Sequence, residues 1–382
     1  MKVPFHNVHF GATEVQAVMN ALETNWLSPR GPAVAKMGME WAEKIGMKYG
    51  LACSSGTGAI HLALTVAGVG RGDKVAVPTY TCSPTVFPVS YLGGVPVFVD
   101  CEFETYGMDP DALRQVLAGH DIKAAVSVHL YGAACQDQIV DICREAGVPL
   151  IEDACESDGA LYRDLNGIVG SRGDFGTFSF RGDKVLTALG TGGVVTTNDE
   201  AAFELLQYYC DLGLHNTSAM GRYRDLPVVG YNYEISNAAA AFGRAQIERL
   251  PEIIELRRAN ADKWRACLDG GDAVQPMPDY PGHVYYQFPL MFDTGSDYRV
   301  LDRLGERLME RGVPFIPPFW PMHWQPPYES AESCVKTACP KAEAAGQSVL
   351  LFPCYPGLAG EQIEYMAQVC LEEAPTAAGT PA

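Results

Sequence analysis

Between about residues 50 and 200, short apolar runs alternate with longer stretches of helical spacing. Runs rich in Val, Ile and Phe predict strands at Lys74–Val77, Val95–Val99, Ala124–Val128, Pro149–Ile151, Gly176–Phe180 and Gly193–Thr197. Between them, Gly58–Thr65, Pro110–Leu117 and Gln138–Ala146 carry apolar residues at helical spacing. Asp109 or Asp111 beside Pro110 supplies a helix start ahead of Ala112 and Leu113. Uninterrupted apolar strands separated by helices predict a mostly parallel sheet covered on both faces.

The pattern changes from Tyr233 to Lys263. Ala238–Ala241 is followed by Ile247, Leu250, Ile253, Ile254 and Leu256, the spacing of one long helix leading out of the first domain. Beyond it, a strand-like segment at Val284–Phe292 and helical segments at Tyr298–Arg311 and Gln362–Leu371 predict a smaller α+β domain. The expected organisation is a large domain over residues 1–250, whose N-terminal segment can pack on the small domain. A small domain follows over 251–372, then a disordered tail over 373–382 without periodicity.

Composition narrows the function. A chain of 382 residues can bury a large core in two domains. A net charge of −18, from 28 basic and 46 acidic residues, argues against nucleic acid or an anionic membrane as partner. No basic segment with an apolar core opens the chain, and no apolar stretch approaches the ~18 residues of a membrane span, so neither a signal peptide nor a membrane helix is expected. Twelve cysteines form no Cys-x-x-Cys pair. Cys334-x4-Cys339 has no second pair or histidine pair near it, so no zinc site is expected. Reduced thiols in a cytoplasmic enzyme follow.

Three segments carry candidate chemistry. Lys184 lies in Phe178-Ser179-Phe180-Arg181-Gly182-Asp183-Lys184, ahead of the turn Gly190-Thr191-Gly192-Gly193. About 30 residues earlier the run Val148-Pro149-Leu150-Ile151 ends in Glu152-Asp153. A lysine on a loop after one strand and an aspartate at the end of another is the pair that pyridoxal phosphate chemistry requires: the amine forms a Schiff base and the carboxylate keeps the pyridine nitrogen protonated. Asp153 could equally cap a helix starting near Ala154. The third segment, Cys53-Ser54-Ser55-Gly56-Thr57-Gly58-Ala59, opens a helix. Its small residues and hydroxyls can admit a phosphate to the first N–H groups, or merely cap the helix. His129 after a strand reads as a packed histidine rather than a metal ligand or base, and Gly190–Gly193 lacks the spacing of a nucleotide loop.

Taken in order, these segments resemble the DegT/DnrJ/EryC1/StrS family of pyridoxal phosphate (PLP)-dependent aminotransferases. The resemblance runs from Val3-Pro4-Phe5 through Asn25-Trp26-Leu27-Ser28, Ser54–Thr57, Pro78–Thr81, Pro96–Asp100, His129–Gly132, Ile151–Ala154, Gly173-Asp174, Phe178–Phe180, Lys184, Gly192-Gly193 and Gly230–Tyr233 to Leu351-Phe352-Pro353. It implies an α/β protein of aminotransferase fold type I, with a mostly parallel seven-stranded sheet and a smaller C-terminal α+β domain. It implies that Lys184 and Asp153 are catalytic, and that Gly56, Thr57, Asp153, Glu156, Ser179, Lys184 and Asn232 bind the cofactor. Glu156 would lie near the ring oxygen O3′, and Asn232 would reach the phosphate of the neighbouring subunit in a homodimer with shared active sites. The implied activity is ping-pong transfer of an amino group from glutamate or glutamine to a keto-sugar, first of all a nucleotide-linked one, with pyridoxamine phosphate as the alternate cofactor form. A keto-cyclitol or an oxidised sugar acid is the alternative acceptor. A PLP-dependent sugar dehydratase would carry His at the position of Lys184, and a non-catalytic regulator would carry an added DNA-binding module or basic patch.

The chain departs from the family pattern in four places. Cys82 falls where the family often stacks an aromatic ring on the cofactor, with Tyr80 as the possible substitute. Asp158 replaces a common His, Glu234 a common Arg, and Thr191 a common Glu. His323, within Pro318-Phe319-Trp320-Pro321-Met322-His323-Trp324, falls where the family often has a substrate-contacting His.

Overall fold

Seven strands form one sheet in the order β1-β7-β6-β5-β4-β2-β3. They are β1 (Tyr49–Cys53), β2 (Lys74–Pro78), β3 (Val95–Val99), β4 (Ile122–Val128), β5 (Leu150–Asp153), β6 (Phe175–Ser179) and β7 (Gly193–Thr197). The computed structural model describes residues 3–214, 226–268, 273–330 and 332–374. Pairing is parallel from β3 through β6, and only β7 runs against its neighbours. The expected mostly parallel sheet is therefore present. β1, not singled out by its composition, is the strand the pattern missed. Its Gly50 meets Gly38 of helix α2 (Pro32–Ile45) so closely that a Cβ on either glycine would overlap the other's backbone. Close helix–strand packing thus replaced the apolar run that marks a strand.

Helix α1 (Ala12–Glu23) precedes α2, and the sheet strands are connected by α3 (Gly56–Val66), α4 (Ser83–Tyr91), α5 (Pro110–Gly119) and α6 (Gln138–Ala146). Asp109 caps α5, its carboxylate accepting from the N–H groups of Asp111 (2.8 Å) and Ala112 (3.2 Å), so the predicted start is the observed one. α3 is apolar on most sides, and Ile60, Leu62, Ala63 and Leu64 are all buried. Such a helix must run through the core, and it starts directly at the sheet's C-terminal edge.

After α7 (Glu200–Cys210), the 32-residue α8 (Asn237–Leu268) spans the boundary expected at residue 250, with Pro251 inside it. A three-stranded antiparallel sheet follows, of β8 (Val274–Pro276), β9 (Phe288–Phe292) and β10 (Val349–Phe352). It packs with α9 (Tyr298–Glu310) and α11 (Gly360–Glu373); the short α10 (Pro340–Ala345) precedes β10. Trp264 of α8 stacks on Phe288 at 5.3 Å in this second core, and Val3 from the N-terminus joins it. Glu373, expected in the tail, instead closes α11 and pairs with Arg307 at 2.8 Å. The expected disorder of the remaining tail falls on residues 375–382, outside the described residues. Among the described residues, no helix is long and apolar enough to cross a membrane.

Candidate active site

The C-terminal ends of the parallel strands bring the candidate residues together, as open α/β sheets do. β4 ends at Val128, β5 at Asp153 and β6 at Ser179, and all three residues line one cleft. The start of α3 enters the cleft from the side. Gly193 opens β7 between Cys53 and Ser179, and a Cβ there would stand 2.5 Å from the backbone of Ser55. Only glycine lets β7 lie this close to the turn after β1. Ser55 caps α3, its hydroxyl accepting from Gly58 N–H at 3.1 Å. The N–H groups of Gly56 and Thr57, in the first turn, have no acceptor within the helix, which makes this end of the cleft suited to an anion.

Strand alternation decides the roles of the paired acids. Successive side chains of β5 point to opposite faces. Asp153 faces the cleft, where its Oδ2 accepts from Thr85 Oγ1 (2.7 Å) and its Oδ1 from Cys155 N–H (3.1 Å). The chain after it turns rather than forming a helix, so the capping alternative does not apply. Glu152 points the other way and is fully buried. It accepts from Tyr162 Oη (2.8 Å) and from the N–H groups of Gly173 (2.6 Å) and Arg172 (2.9 Å), and bonds His129 at 2.9 Å. His129 is thereby a packed histidine with both ring nitrogens engaged, the second by Cys135 N–H at 3.1 Å.

Lys184 reaches the cleft from the loop after β6. Its Nζ is 3.2 Å from Glu156 Oε1 and 4.6 Å from the centroid of the Tyr286 ring. Burial disfavours the ammonium, but the Glu156 carboxylate outweighs that and holds the amine well above the ordinary lysine range. The other oxygen of Glu156 accepts from Tyr131 N–H at 3.1 Å.

Thr57, Ser179 and Cys82 also line the cleft, as does Arg181. Burial pushes the Cys82 thiol up to about 11, so it is a neutral wall residue. Tyr80 does not take its place. It is fully buried, bonded to Tyr131 Oη at 3.0 Å and packed edge-on against Phe319. Asp158 lies fully buried behind the cleft, where burial pushes its carboxyl well above the usual range; its Oδ1 has no hydrogen-bond partner among the described residues. His323 is tied to Thr79 (2.6 Å) and Glu343 (3.1 Å) and does not line the cleft. Asn232 is exposed and bridged to Asp211, away from the cleft lining. Sequence reasoning missed Thr85, Tyr131 and Tyr286. Thr85 had a usable signal, a hydroxyl beside Pro84 at a helix start; Tyr286 had none, because its position depends on a distant segment.

These groups fit pyridoxal phosphate. The cleft presents a primary amine, a carboxylate braced by neutral donors, hydroxyls at Thr57 and Ser179, and an open helix N-terminus. Gly56 is pressed so tightly that a Cβ would stand 2.7 Å from both Cys155 Sγ and Ser179 Cβ.

The profile of the DegT/DnrJ/EryC1/StrS aminotransferase family matches residues 9–370. The chain is 38% identical over 333 residues to the "Putative pyridoxal phosphate-dependent aminotransferase EpsN" of Bacillus subtilis (strain 168), covering 85% of this chain and 83% of that protein. It is 32% identical over 368 residues to GDP-perosamine synthase of Escherichia coli O157:H7, covering 96% and 97%. The X-ray structure of the aminotransferase from Psychrobacter cryohalolentis superposes with a TM-score of 0.86 at 28% identity, covering 96% of this chain and 98% of that one.

Proposed function

Because the chain belongs to the DegT/DnrJ/EryC1/StrS aminotransferase family and is a PLP-dependent aminotransferase of fold type I, we propose that it moves an amino group from glutamate or glutamine to a nucleotide-linked keto-sugar. The observation carrying this reading is the convergence of Lys184, Asp153 and the start of α3 on one cleft. Similarity to a GDP-perosamine synthase over almost the whole length supports a nucleotide sugar over a keto-cyclitol or sugar acid as acceptor. A lysine at position 184 supports transfer over dehydration.

Bound pyridoxal phosphate supplies an electron sink that acidifies the carbon next to the substrate nitrogen. The protein's part is to hold and to move protons. Lys184 would anchor the cofactor and, once free, its Nζ would pass the proton taken from the donor carbon to the cofactor carbon that keeps the amino group, and would run the reverse transfer onto the acceptor carbon in the second half-reaction. Glu156, 3.2 Å away, balances the ammonium between these steps. Asp153, fixed by Thr85 and Cys155 N–H, would hold the proton on the ring nitrogen, and Gly56, Thr57 and Ser179 would take the phosphate. Exposed Asn232 serves the partner's site in a homodimer. Twelve free thiols support a reducing, cytoplasmic setting.

The test is incubation of the loaded full-length protein with glutamate and a GDP-linked 4-keto-6-deoxy sugar, with mass spectrometry of the product and Lys184→Ala as control. Formation of the amino sugar by the parent alone is expected. Failure of glutamate to alter the visible spectrum, or equal product from Lys184→Ala, would overturn the reading.

A further inference from the structure

We propose that Tyr286 is a positioning residue for the Lys184 amine: its ring face receives the ammonium opposite Glu156, and the docking of the small-domain segment 284–287 on the corner after β4 sets that ring in place. The inference rests on the reading of Lys184 as the reactive amine.

The ring face is the first observation. Lys184 Nζ lies over the Tyr286 ring at 4.6 Å from its centroid, within the ~6 Å over which a cation is drawn to an aromatic face. Tyr286 is 7% exposed, so little water screens the contact. Glu156 holds the amine from another side at 3.2 Å. The freed amine is thus restrained by a carboxylate and a ring, two contacts that both favour the protonated form.

The second observation is how Tyr286 is held. Tyr131 adopts a left-handed conformation at φ 59°, and Gly132 follows at φ 100°. This corner aims Tyr131 N–H at Glu156 and the Gly132 carbonyl at Val284 N–H, which donates to it at 2.9 Å. A Cβ on Gly132 would stand 2.5 Å from Tyr285 N and 2.6 Å from Tyr286 N. From the far side, buried Arg257 of α8 donates to the carbonyls of Tyr285 (3.2 Å) and Tyr286 (3.1 Å). One corner therefore places both partners of the amine: Glu156 through the Tyr131 N–H, and Tyr286 through the backbone of 284–286. A strained corner persists only where its surroundings fix it, and here they join the two domains beside the reactive lysine.

The other titratable groups near Nζ are Cys155, Cys82 and Asp158. The two thiols and the Asp158 carboxyl are pushed up by burial, and Asp153 and Arg181 line the same cleft, but Glu156 and the Tyr286 face are the groups in direct contact with Nζ. The Tyr286 phenol is itself pushed up by burial and stays neutral.

The test compares Tyr286→Phe, which keeps the face, with Tyr286→Leu, which keeps apolar bulk alone. The first readout is acylation of Lys184 in full-length protein freed of cofactor, followed by peptide mass spectrometry from pH 6 to pH 10. Weakening the ammonium raises the labelling rate at a fixed pH. Tyr286→Leu is expected to label about threefold to tenfold faster than the parent at pH 8, and Tyr286→Phe within about twofold. In the loaded protein, Tyr286→Leu is expected to lower kcat about tenfold with KM for glutamate within about twofold, since a misplaced base slows proton transfer without loosening substrate. Parent-like labelling by Tyr286→Leu would overturn the proposal, as would Tyr286→Phe behaving like Tyr286→Leu. A labelling shift without transfer to any nucleotide sugar would leave this inference standing and overturn only the acceptor assignment.

Discussion

Replacing Asp153 by Asn separates the carboxylate's chemistry from its place in the fold. The substitution keeps the shape and both local contacts. The amide oxygen can still accept from Cys155 N–H, now 3.1 Å from Oδ1, and the amide nitrogen can donate to Thr85 Oγ1. Thr85 can then donate to Thr81 Oγ1, 2.9 Å away, so no hydroxyl is stranded. Exchanging a charge-assisted bond for a neutral one changes stability by about 1 kcal/mol. The functional loss is larger. Asp153 is 4% exposed, so a cationic ring nitrogen facing it would lose its counter-charge in a dry site. Removing one partner of a buried pair costs about 3–5 kcal/mol. At about 1.4 kcal/mol per factor of ten, turnover falls by between about a hundredfold and several thousandfold. Thermal melting of the cofactor-free protein, absorbance titration with pyridoxal phosphate and steady-state kinetics read the two effects apart. An Asp153→Asn enzyme with kcat within threefold of the parent would refute the reasoning. So would a variant that fails to fold, because the carboxylate would then serve structure.

The other acid of β5 predicts the reverse. Burial opposes the Glu152 charge, but His129 and the surrounding N–H and hydroxyl donors outweigh it and hold the carboxyl below its ordinary value of 4.5. A folded-state value below the unfolded one means that the stabilisation is fully present above about pH 4.5 and is lost as pH falls through the folded-state value. Glu152→Gln is expected to cost about 3 kcal/mol in urea melts at pH 7, with the gap to the parent narrowing at pH 4, while cofactor absorbance is retained. For the shared site, Lys184→Ala and Asn232→Asp are each expected to be nearly inactive. If each site takes Lys184 from one subunit and Asn232 from the other, half of a random mixture is mixed dimer with one intact site of two, so activity returns to about a quarter of the parent's. A mixture no more active than its parts would remove Asn232 from the neighbouring site.

Much of the fold was legible because β2 to β5 are short apolar runs separated by helices, and buried parallel strands have no polar face to hide the pattern. β1 escaped because Gly50 earns its place through the backbone of Gly38 in α2, a contact 12 residues away in sequence that leaves no apolar run. In the cleft, Lys184, Asp153, Gly56, Thr57 and Ser179 were readable because local grammar marks them: a strand end, a capped helix start, a turn of small residues. Tyr131 gave half a signal, since a bulky residue before Gly132 hints at a corner but not at where its N–H points. Tyr286 gave none. It lies 102 positions beyond Lys184, and only the meeting of segment 284–287 with Gly132 brings its ring to the amine.

The adjacent acids of β5 show how a sheet turns one dipeptide into two functions. Glu-Asp at a strand end says only that two carboxylates must go somewhere; alternation sends them to opposite faces, and the register says which face is which. Glu152 pairs with Gly176 of β6 and Asp153 with Thr177. The face receiving Glu152 is closed by the loop 162–173, whose N–H groups converge on it, so its charge is spent on holding that loop. The face receiving Asp153 is bounded by α4 and by the turn into Cys155, which contribute one hydroxyl and one N–H. Two neutral donors do not saturate a carboxylate with about four acceptor sites. The residual capacity points into the cleft, and a cation there is the complement it lacks. A shift of one residue in the pairing of β5 would exchange the two acids, exposing the heavily bonded site to Asp153 and leaving Glu152 one methylene too long for the Thr85 contact. The register of β5 is thus as much a part of the active site as Lys184.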